Sequence, residues 1–474
     1  MSTSAKVLDK YPEVFSEVPG LCTAVQHEIP ISADFKPKRF REYKVPEIYR
    51  VEVSRQIQEL LSLGFIEPST SPQASPLVVV LKAKDNEGNR AVRLAIDYRY
   101  VNKFTALSIA PLEDISDIIQ EVGKSNLIST FDAKSGYYQC LVKPEDRWLT
   151  SFVCNEGQFQ WTRTPFGMRS SGTTFVRAVK GVLRPIREFT KSYVDDMAVH
   201  SDNFADHMYH VDRYLSCMKS AGFTLGLKKY EFVKSKIKFV GHVIGSGHRC
   251  VDPEKVAAVN DLKEPETKRQ LRQIIGFFSF FREYLPGFAM VCKPLTDLTG
   301  KRTPDRIPFG SREREALTTL KRLLCDATNK PLNIINSAKQ FSLFVDSSNV
   351  AVGAALTQPD ERGHEYPVAF ASSKLTETQQ RWATIEKESY AALWALQKYK
   401  YWLLGRPVIL YSDHNPITFL TETTPKSSKL MRWALALAEF NVEFRYRTGR
   451  SNEAADCLSR MVQYEDGDNQ PGTE

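Results

Sequence analysis

Two adjacent aspartates at the tip of a short hairpin constrain this chain more than any other feature. Ser192-Tyr193-Val194 precede the pair Asp195-Asp196, and Met197-Ala198-Val199 follow it. Apolar and β-branched residues on both sides predict two short strands with the acids at the turn. Like charges side by side weaken such a hairpin, and a divalent cation is the usual offset. Asp is also a common turn former, so a solvated acidic turn accounts for the same four residues. The string is short enough to arise by chance. A metal site built for phosphoryl transfer needs at least one more fixed acid.

Leu127-Ile128-Ser129-Thr130-Phe131 reads as a strand ending on Asp132, followed by Ala133-Lys134-Ser135-Gly136-Tyr137. Alone, Asp132 reads more simply as the cap of the next turn. Together, strand-Asp-x-x-x-Gly-Tyr and Tyr-Val-Asp-Asp resemble the reverse transcriptases of gypsy-type long-terminal-repeat retrotransposons. The resemblance implies a right-hand polymerase of fingers, palm and thumb, with Asp132, Asp195 and Asp196 as its catalytic, metal-holding acids. Asp195 is expected to bridge metal with Asp132, and Asp196 to be more peripheral.

The resemblance continues in chain order. Leu77 to Leu81 is a β-rich run ending in Lys82, and Val92, Leu94 and Ile96 alternate with Arg93 after a turn at Asp85-Asn86-Glu87-Gly88. These match the family's fingers hairpin, where a Lys and an Arg hold the incoming triphosphate, as a polyanion requires. Arg93 takes one role; Lys82 takes the other, with Lys84 open as the alternative register. Thr164-Pro165-Phe166-Gly167-Met168 resembles the segment beside the nucleotide, and Ala133 and Phe166 are carried over as nucleotide-binding. The family continues there with Asn-Ala-Pro, whereas this chain has Ser170-Ser171-Gly172. Tyr137 stands where the family places an aromatic beneath the sugar to reject a 2′-hydroxyl; a ring packed in the palm core is the plain alternative.

Between Asn203 and Gly222, Phe204, Met208, Val211, Leu215 and Met218 recur at helical spacing,. Lys236 to Val243 resembles the primer grip, assigned to Phe239, Val240 and Gly241, and His242 is given no chemistry. Asp252 to about Thr299 resembles the thumb: Lys268, Arg269 and Arg272 face one way and Leu271, Ile274 and Phe278 the other. Such a helix can lay its cations along nucleic-acid phosphates. The rings of Phe277 to Phe281 read mainly as core.

A second set of acids follows. Phe341 to Val345 is a strand ending at Asp346; a long helix from Arg381 to Leu404 holds Glu386 and Glu388; Val408 to Ser412 is a strand ending at Asp413; Asn452 to Arg460 is a short helix with Asp456. The order β-β-β-α-β-α-β-α, with acids on strand one, helix one, strand four and the last helix, resembles the ribonuclease H fold. Each acid alone reads as a cap or surface residue; four in order do not. Asp346, Glu388, Asp413 and Asp456 are the expected metal ligands and catalytic acids, with Glu386 as the alternative on the helix. Some related enzymes use a His in the loop before the last acid; Arg447-Thr448-Gly449-Arg450-Ser451 has none.

Lys and Arg outnumber Asp and Glu by 64 to 56 among 474 residues, too small an excess to identify a nucleic-acid binder by itself,. Eight cysteines without metal-like spacing read as free thiols of a reducing compartment,. No apolar run reaches membrane-spanning length and no signal peptide is visible,. Met1-Ser2-Thr3-Ser4 fits an added start or the edge of a polyprotein fragment. Neither an Asp-Thr/Ser-Gly protease motif nor an HHCC zinc pattern occurs.

The expected architecture is a multidomain α+β and α/β chain: an N-terminal extension (1–45), fingers and palm (46–251), thumb (252–299), connection (300–340), ribonuclease H (341–462) and an acidic disordered tail (463–474). The expected cofactor is Mg²⁺, two ions per site, with Mn²⁺ as an alternative. Expected partners are an RNA template, an RNA–DNA hybrid, primer–template DNA and deoxynucleoside triphosphates, with no membrane and with a homodimer compatible. The expected location is the cytoplasm, within virus-like particles, with the nucleus as the alternative. The competing expectation is a domesticated, non-catalytic nucleic-acid-binding protein that kept the fold; its narrower form is a nuclease with a decayed polymerase half.

Overall fold

The computed structural model describes residues 7–84, 90–226, 230–260, 262–413 and 428–446. The fingers turn at 85–89, the loop at 447–451, the final helix with Asp456 and the tail lie outside the described residues. The chain divides into two units, Met1–Val240 and Gly241–Glu474.

In the first unit the strand Leu127–Asp132 pairs antiparallel with Asp196–Ser201, which in turn pairs with Thr190–Tyr193; Glu231–Lys234 flanks the other side. The strand Asp196–Ser201 is buried from Met197 onward. Helices Ser171–Leu183 and Phe204–Ser220 account for this, packing Phe175, Val179, Val211, Leu215 and Met218 against Phe131, Met197 and Val199. The predicted stripe on the second helix is buried except at Phe204, which is 46% exposed in its first turn. Asn203 caps that helix by accepting from the Asp206 amide (3.0 Å), and Gly222 at φ 73° ends it,. A second sheet runs Ile66–Pro68, Gly157–Trp161, Phe152–Cys154, Ser75–Lys84 and Arg90–Ile96. Helix Glu47–Ser62 buries Val53 and Ile57 in the core that this sheet builds.

In the same unit, three buried histidines pair with hydroxyls: His27 with Thr174 (2.8 Å), His200 with Ser125 (3.0 Å), and His207 with Ser129 (2.8 Å) and Ser201 (3.0 Å). Burial holds each imidazole down at about 4, from an ordinary 6.5,. The unfolded chain therefore takes up protons first. Stability from these groups is present in full above pH 6.5 and is lost as pH falls toward about 4. The loss is up to about 1.4 kcal/mol per pH unit for each histidine. Urea titrations at pH 7 and pH 5 are expected to show a lower midpoint at pH 5; an unchanged midpoint contradicts this.

In the second unit one core runs from Val251 to Leu332, joining Leu271, Ile274, Phe278 and Phe281 to Leu317, Leu320 and Leu324. Phe278 and Phe281 are core as expected, whereas Phe280 is exposed. Thr267 and Gln270 form a capping box on helix Lys268–Phe280,. The segment expected to bridge the domains contains the helix Ser311–Asn329, whose apolar residues fill that same core. A five-stranded sheet then runs Glu365–Lys374, Ala351–Pro359, Phe341–Ser347, Pro407–Ser412 and Asn441–Tyr446, antiparallel among the first three strands and parallel among the last three. The helix expected over 381–404 is shorter, Thr384–Lys398, with a separate turn at Lys400–Leu403. Between them Tyr399, at φ −103° and ψ 16°, leaves helical geometry, buries its ring and donates to the Ala369 carbonyl (3.2 Å). His242 is buried against Tyr284 (2.9 Å), in keeping with a packed strand histidine.

No helix among the described residues is long and apolar enough to cross a membrane. The seven described cysteines are free thiols.

Candidate active sites

Sheet register positions the first set of acids. Asp196 lies opposite Asp132 in the antiparallel pair, so both Cβ atoms leave the same face,. Asp196 also pairs with Tyr193, which leaves Val194 and Asp195 as the two residues of the hairpin turn,. Val194 sits at φ 54°. A β-branched residue there is strained by roughly 1–2 kcal/mol, a strain that clusters at functional sites. The result aims Asp195 into a cavity of about 940 Å³ whose lining also includes Asp132, Arg93, Ala133, Tyr137 and Phe166. Asp196 is exposed and is not among the lining residues.

The aromatic residues of this cavity hold one another. Tyr137 packs against Phe166 (centroids 4.9 Å) and Phe175 (5.7 Å), and the Arg93 guanidinium lies 5.1 Å above the Phe166 ring. Tyr137 is thus half core and half cavity wall. Burial, and then the Asp195 charge, raise its hydroxyl above the ordinary range,. The departure at Ser170-Ser171-Gly172 has a structural use. Ser171 donates its hydroxyl to the Pro165 carbonyl (2.7 Å), pinning the Pro-Phe-Gly turn, and a Cβ on Gly172 would lie 3.4 Å from the Tyr137 hydroxyl. Gly136 is required by close packing, since a Cβ there would come within 2.6 Å of the Phe175 ring.

Other expected residues lie elsewhere. The side chain of Lys82 is outside the described residues. Phe239 is buried, and Val240 (φ 46°) and Gly241 (φ 78°) form the turn that follows it. Phe239 and Val240 are not among the residues lining the Asp132 cavity. Conversely, Glu17 and Lys134 line that cavity and form an ion pair. Lys134 follows Asp132 closely enough to have been suspected; Glu17 carries no local sequence signal.

The second set of acids converges on a smaller scale. Parallel pairing of Phe341–Ser347 with Pro407–Ser412 sets Phe344 against Tyr411, and continuing that register brings Asp346 level with Asp413. Glu388 reaches them from helix Thr384–Lys398, and ligand oxygens of Asp346, Glu388 and Asp413 lie within 4.8 Å of one another. Glu388 is only 2% exposed and accepts from the Ser347 hydroxyl (2.6 Å). Glu386 points elsewhere: it accepts from the Ala383 amide (3.3 Å) and pairs with Lys429 (3.1 Å), whose ammonium lies 3.3 Å from the centre of the Trp382 ring. Asp456 is outside the described residues. Three carboxylates this close repel one another unless cations sit among them, and hard oxygen donors suit Mg²⁺ or a similar ion. The donor set fits a metal.

Comparison with known proteins agrees with both halves. Residues 81–244 match the family model "Reverse transcriptase (RNA-dependent DNA polymerase)", and residues 336–440 match "RNase H-like domain found in reverse transcriptase". The chain is 32% identical over 469 residues to the retrovirus-related Pol polyprotein from transposon opus of Drosophila melanogaster, covering 96% of this chain and 46% of that protein. It is 33% identical to the polyprotein from transposon gypsy of the same species, covering 86% and 40%. The chain thus spans less than half the length of these relatives. Among solved structures, the foamy viral protease-reverse transcriptase dRH in complex with double-stranded DNA superposes with a TM-score of 0.81 at 24% identity, covering 94% of this chain and 78% of that one. The foamy viral protease-reverse transcriptase in complex with an RNA/DNA hybrid gives 0.73 at 24%, covering 99% and 62%; both likenesses are of fold. With the two domain models in this order, the chain belongs to the reverse transcriptases that carry a ribonuclease H-like domain, alongside the Pol polyproteins of gypsy-type retrotransposons.

Proposed function

We infer that the first unit copies RNA and DNA templates into DNA and that the ribonuclease H-like domain degrades the RNA strand of the resulting hybrid. The supporting observation is that Asp132 and Asp195 share one cavity with Arg93 and Tyr137. The primer 3′-hydroxyl would attack the α-phosphate of a deoxynucleotide, with pyrophosphate leaving. Arg93 would meet the triphosphate, and the Tyr137 ring would press on the sugar face and exclude a 2′-hydroxyl. Asp132, Asp195 and Asp196 would hold two Mg²⁺ ions, and Asp346, Glu388, Asp413 and Asp456 two more. When bound, these ions lower the pKa of the attacking oxygen and neutralise charge on the leaving one. The protein's own part is positioning: strands fix the acids, and the ring contacts fix Tyr137. The domain order fingers-palm, thumb, connection and ribonuclease H is part of the proposal, with virus-like particles in the cytoplasm as the natural setting.

The test is primer extension on an RNA template, run beside release of labelled RNA from an RNA–DNA hybrid, with Mg²⁺ and with chelator. Both reactions are expected with Mg²⁺ and neither with chelator. A chain inactive in both with Mg²⁺ or Mn²⁺ would be the non-catalytic binder instead.

A further inference from the structure

The cations lining the Asp132 cavity, among the described residues, are Arg55, Arg93 and Lys134. Arg55 is taken up by Glu52 (2.8 Å) and Glu59 (3.0 Å) on its own helix. Lys134 is paired with Glu17, a residue of the N-terminal segment. Resting on the polymerase reading above, we propose that Lys134 is a second triphosphate-binding cation and that Glu17 holds it in reserve until the nucleotide enters.

Glu17 is fixed from both sides. On one side the Ser16 amide donates to the Leu225 carbonyl (3.1 Å) and the Leu225 amide to the Val14 carbonyl (2.7 Å). On the other, Thr224 Oγ1 accepts from the Gly20 amide (2.8 Å) and donates to the Val18 carbonyl (3.2 Å), while Arg163 donates to the Gly20 carbonyl (2.9 Å). The strap lies so close that a Cβ on Gly20 would sit 2.4 Å from the Gly222 carbonyl. The backbone that carries Glu17 is therefore held beside the cavity that this residue lines. The backbone of Lys134 is equally fixed, its amide donating to the Thr224 carbonyl (3.1 Å) and its carbonyl accepting from Gln139 (2.8 Å).

What can move is the lysine's four-carbon stem, and its side chain is 31% exposed against 51% for that of Glu17,. A pair this exposed holds only weakly. A triphosphate of about four negative charges presents several acceptors at once and outcompetes a single carboxylate. Between turnovers, Glu17 keeps the ammonium from folding back onto Asp132 and displacing the cation that acid is suited to hold.

The test varies deoxynucleotide concentration in primer extension by the full chain on a saturating RNA template. Lys134→Ala is expected to raise KM for the nucleotide about tenfold, the worth of one charge-assisted hydrogen bond, with kcat within about twofold. Lys134→Arg is expected to restore most of it. Glu17→Gln is expected to lower KM about two- to fourfold, since the cation is released from a weak, exposed pair. In the Glu17→Gln/Lys134→Ala double variant the KM is expected to match that of Lys134→Ala alone, since Glu17 is proposed to act on the nucleotide through the lysine. Melting temperatures separate these effects from unfolding. An unchanged KM in Lys134→Ala, or a raised KM in Glu17→Gln, overturns the proposal while leaving the polymerase standing. A wild-type chain that extends no primer removes both.

Discussion

Asp195→Asn is expected to cut primer extension by about three orders of magnitude while leaving hydrolysis of the RNA strand within about twofold of wild type. Asn matches Asp in shape, so the hairpin, closed by the Tyr193 and Asp196 pair, is expected to keep its form. What disappears is one negative charge from the wall of the cavity that Asp195 shares with Asp132. Asp196→Asn is expected to lose far less, because Asp196, exposed like Asp195, is outside that lining although its Cβ lies on the same sheet face as Asp132. Parallel assays of extension and hydrolysis on one preparation decide the matter. Equal losses in both reactions for Asp195→Asn would mean a folding defect, and a larger loss for Asp196 than for Asp195 would reverse the assignment of roles.

The acids were legible because each ends a stretch whose periodicity is local. Phe131 before Asp132, Val345 before Asp346 and Ser412 before Asp413 close strands that alternation or apolar content already marks,. Long-range register left no such trace. Nothing near Asp132 in sequence says that Asp196 will lie opposite it, and the pinning of Val14 and Ser16 to Leu225 runs through backbone groups that every residue carries,. The helix Ser311–Asn329 was readable in principle, with Ala316, Leu317, Leu320, Leu323 and Leu324 at helical spacing, but the charges between them made the segment look like a linker. The buried Arg249 is the opposite case. Its place is set by Glu283 (3.0 Å) and the Val368 carbonyl (2.9 Å), partners far away in the chain. The choice between Glu386 and Glu388 was open in sequence for a related reason. Two residues on one helix point about 200° apart, and only the neighbouring elements say which faces Asp346.

Those two glutamates give the other large effect, with activity and stability moving in opposite directions. Glu388→Gln is expected to lower hydrolysis of the hybrid by about three orders of magnitude and leave primer extension intact. The amide keeps the volume of a side chain that is 2% exposed and still accepts from Ser347, so no cavity opens. It also removes one of three carboxylates whose oxygens lie within 4.8 Å of one another. In metal-free buffer the variant is therefore expected to be more stable than wild type, by about 1 kcal/mol, because a like-charge repulsion is relieved. Glu386→Gln reverses the stability effect and largely spares the activity. It weakens the pair with Lys429 and the bond to the Ala383 amide, which costs about 0.5–1 kcal/mol of stability, and it keeps hydrolysis within about tenfold of wild type,. Hydrolysis rates, with urea midpoints measured in chelator, test the crossing. If Glu386→Gln abolishes hydrolysis while Glu388→Gln does not, the acid that completes the site with Asp346 and Asp413 is Glu386.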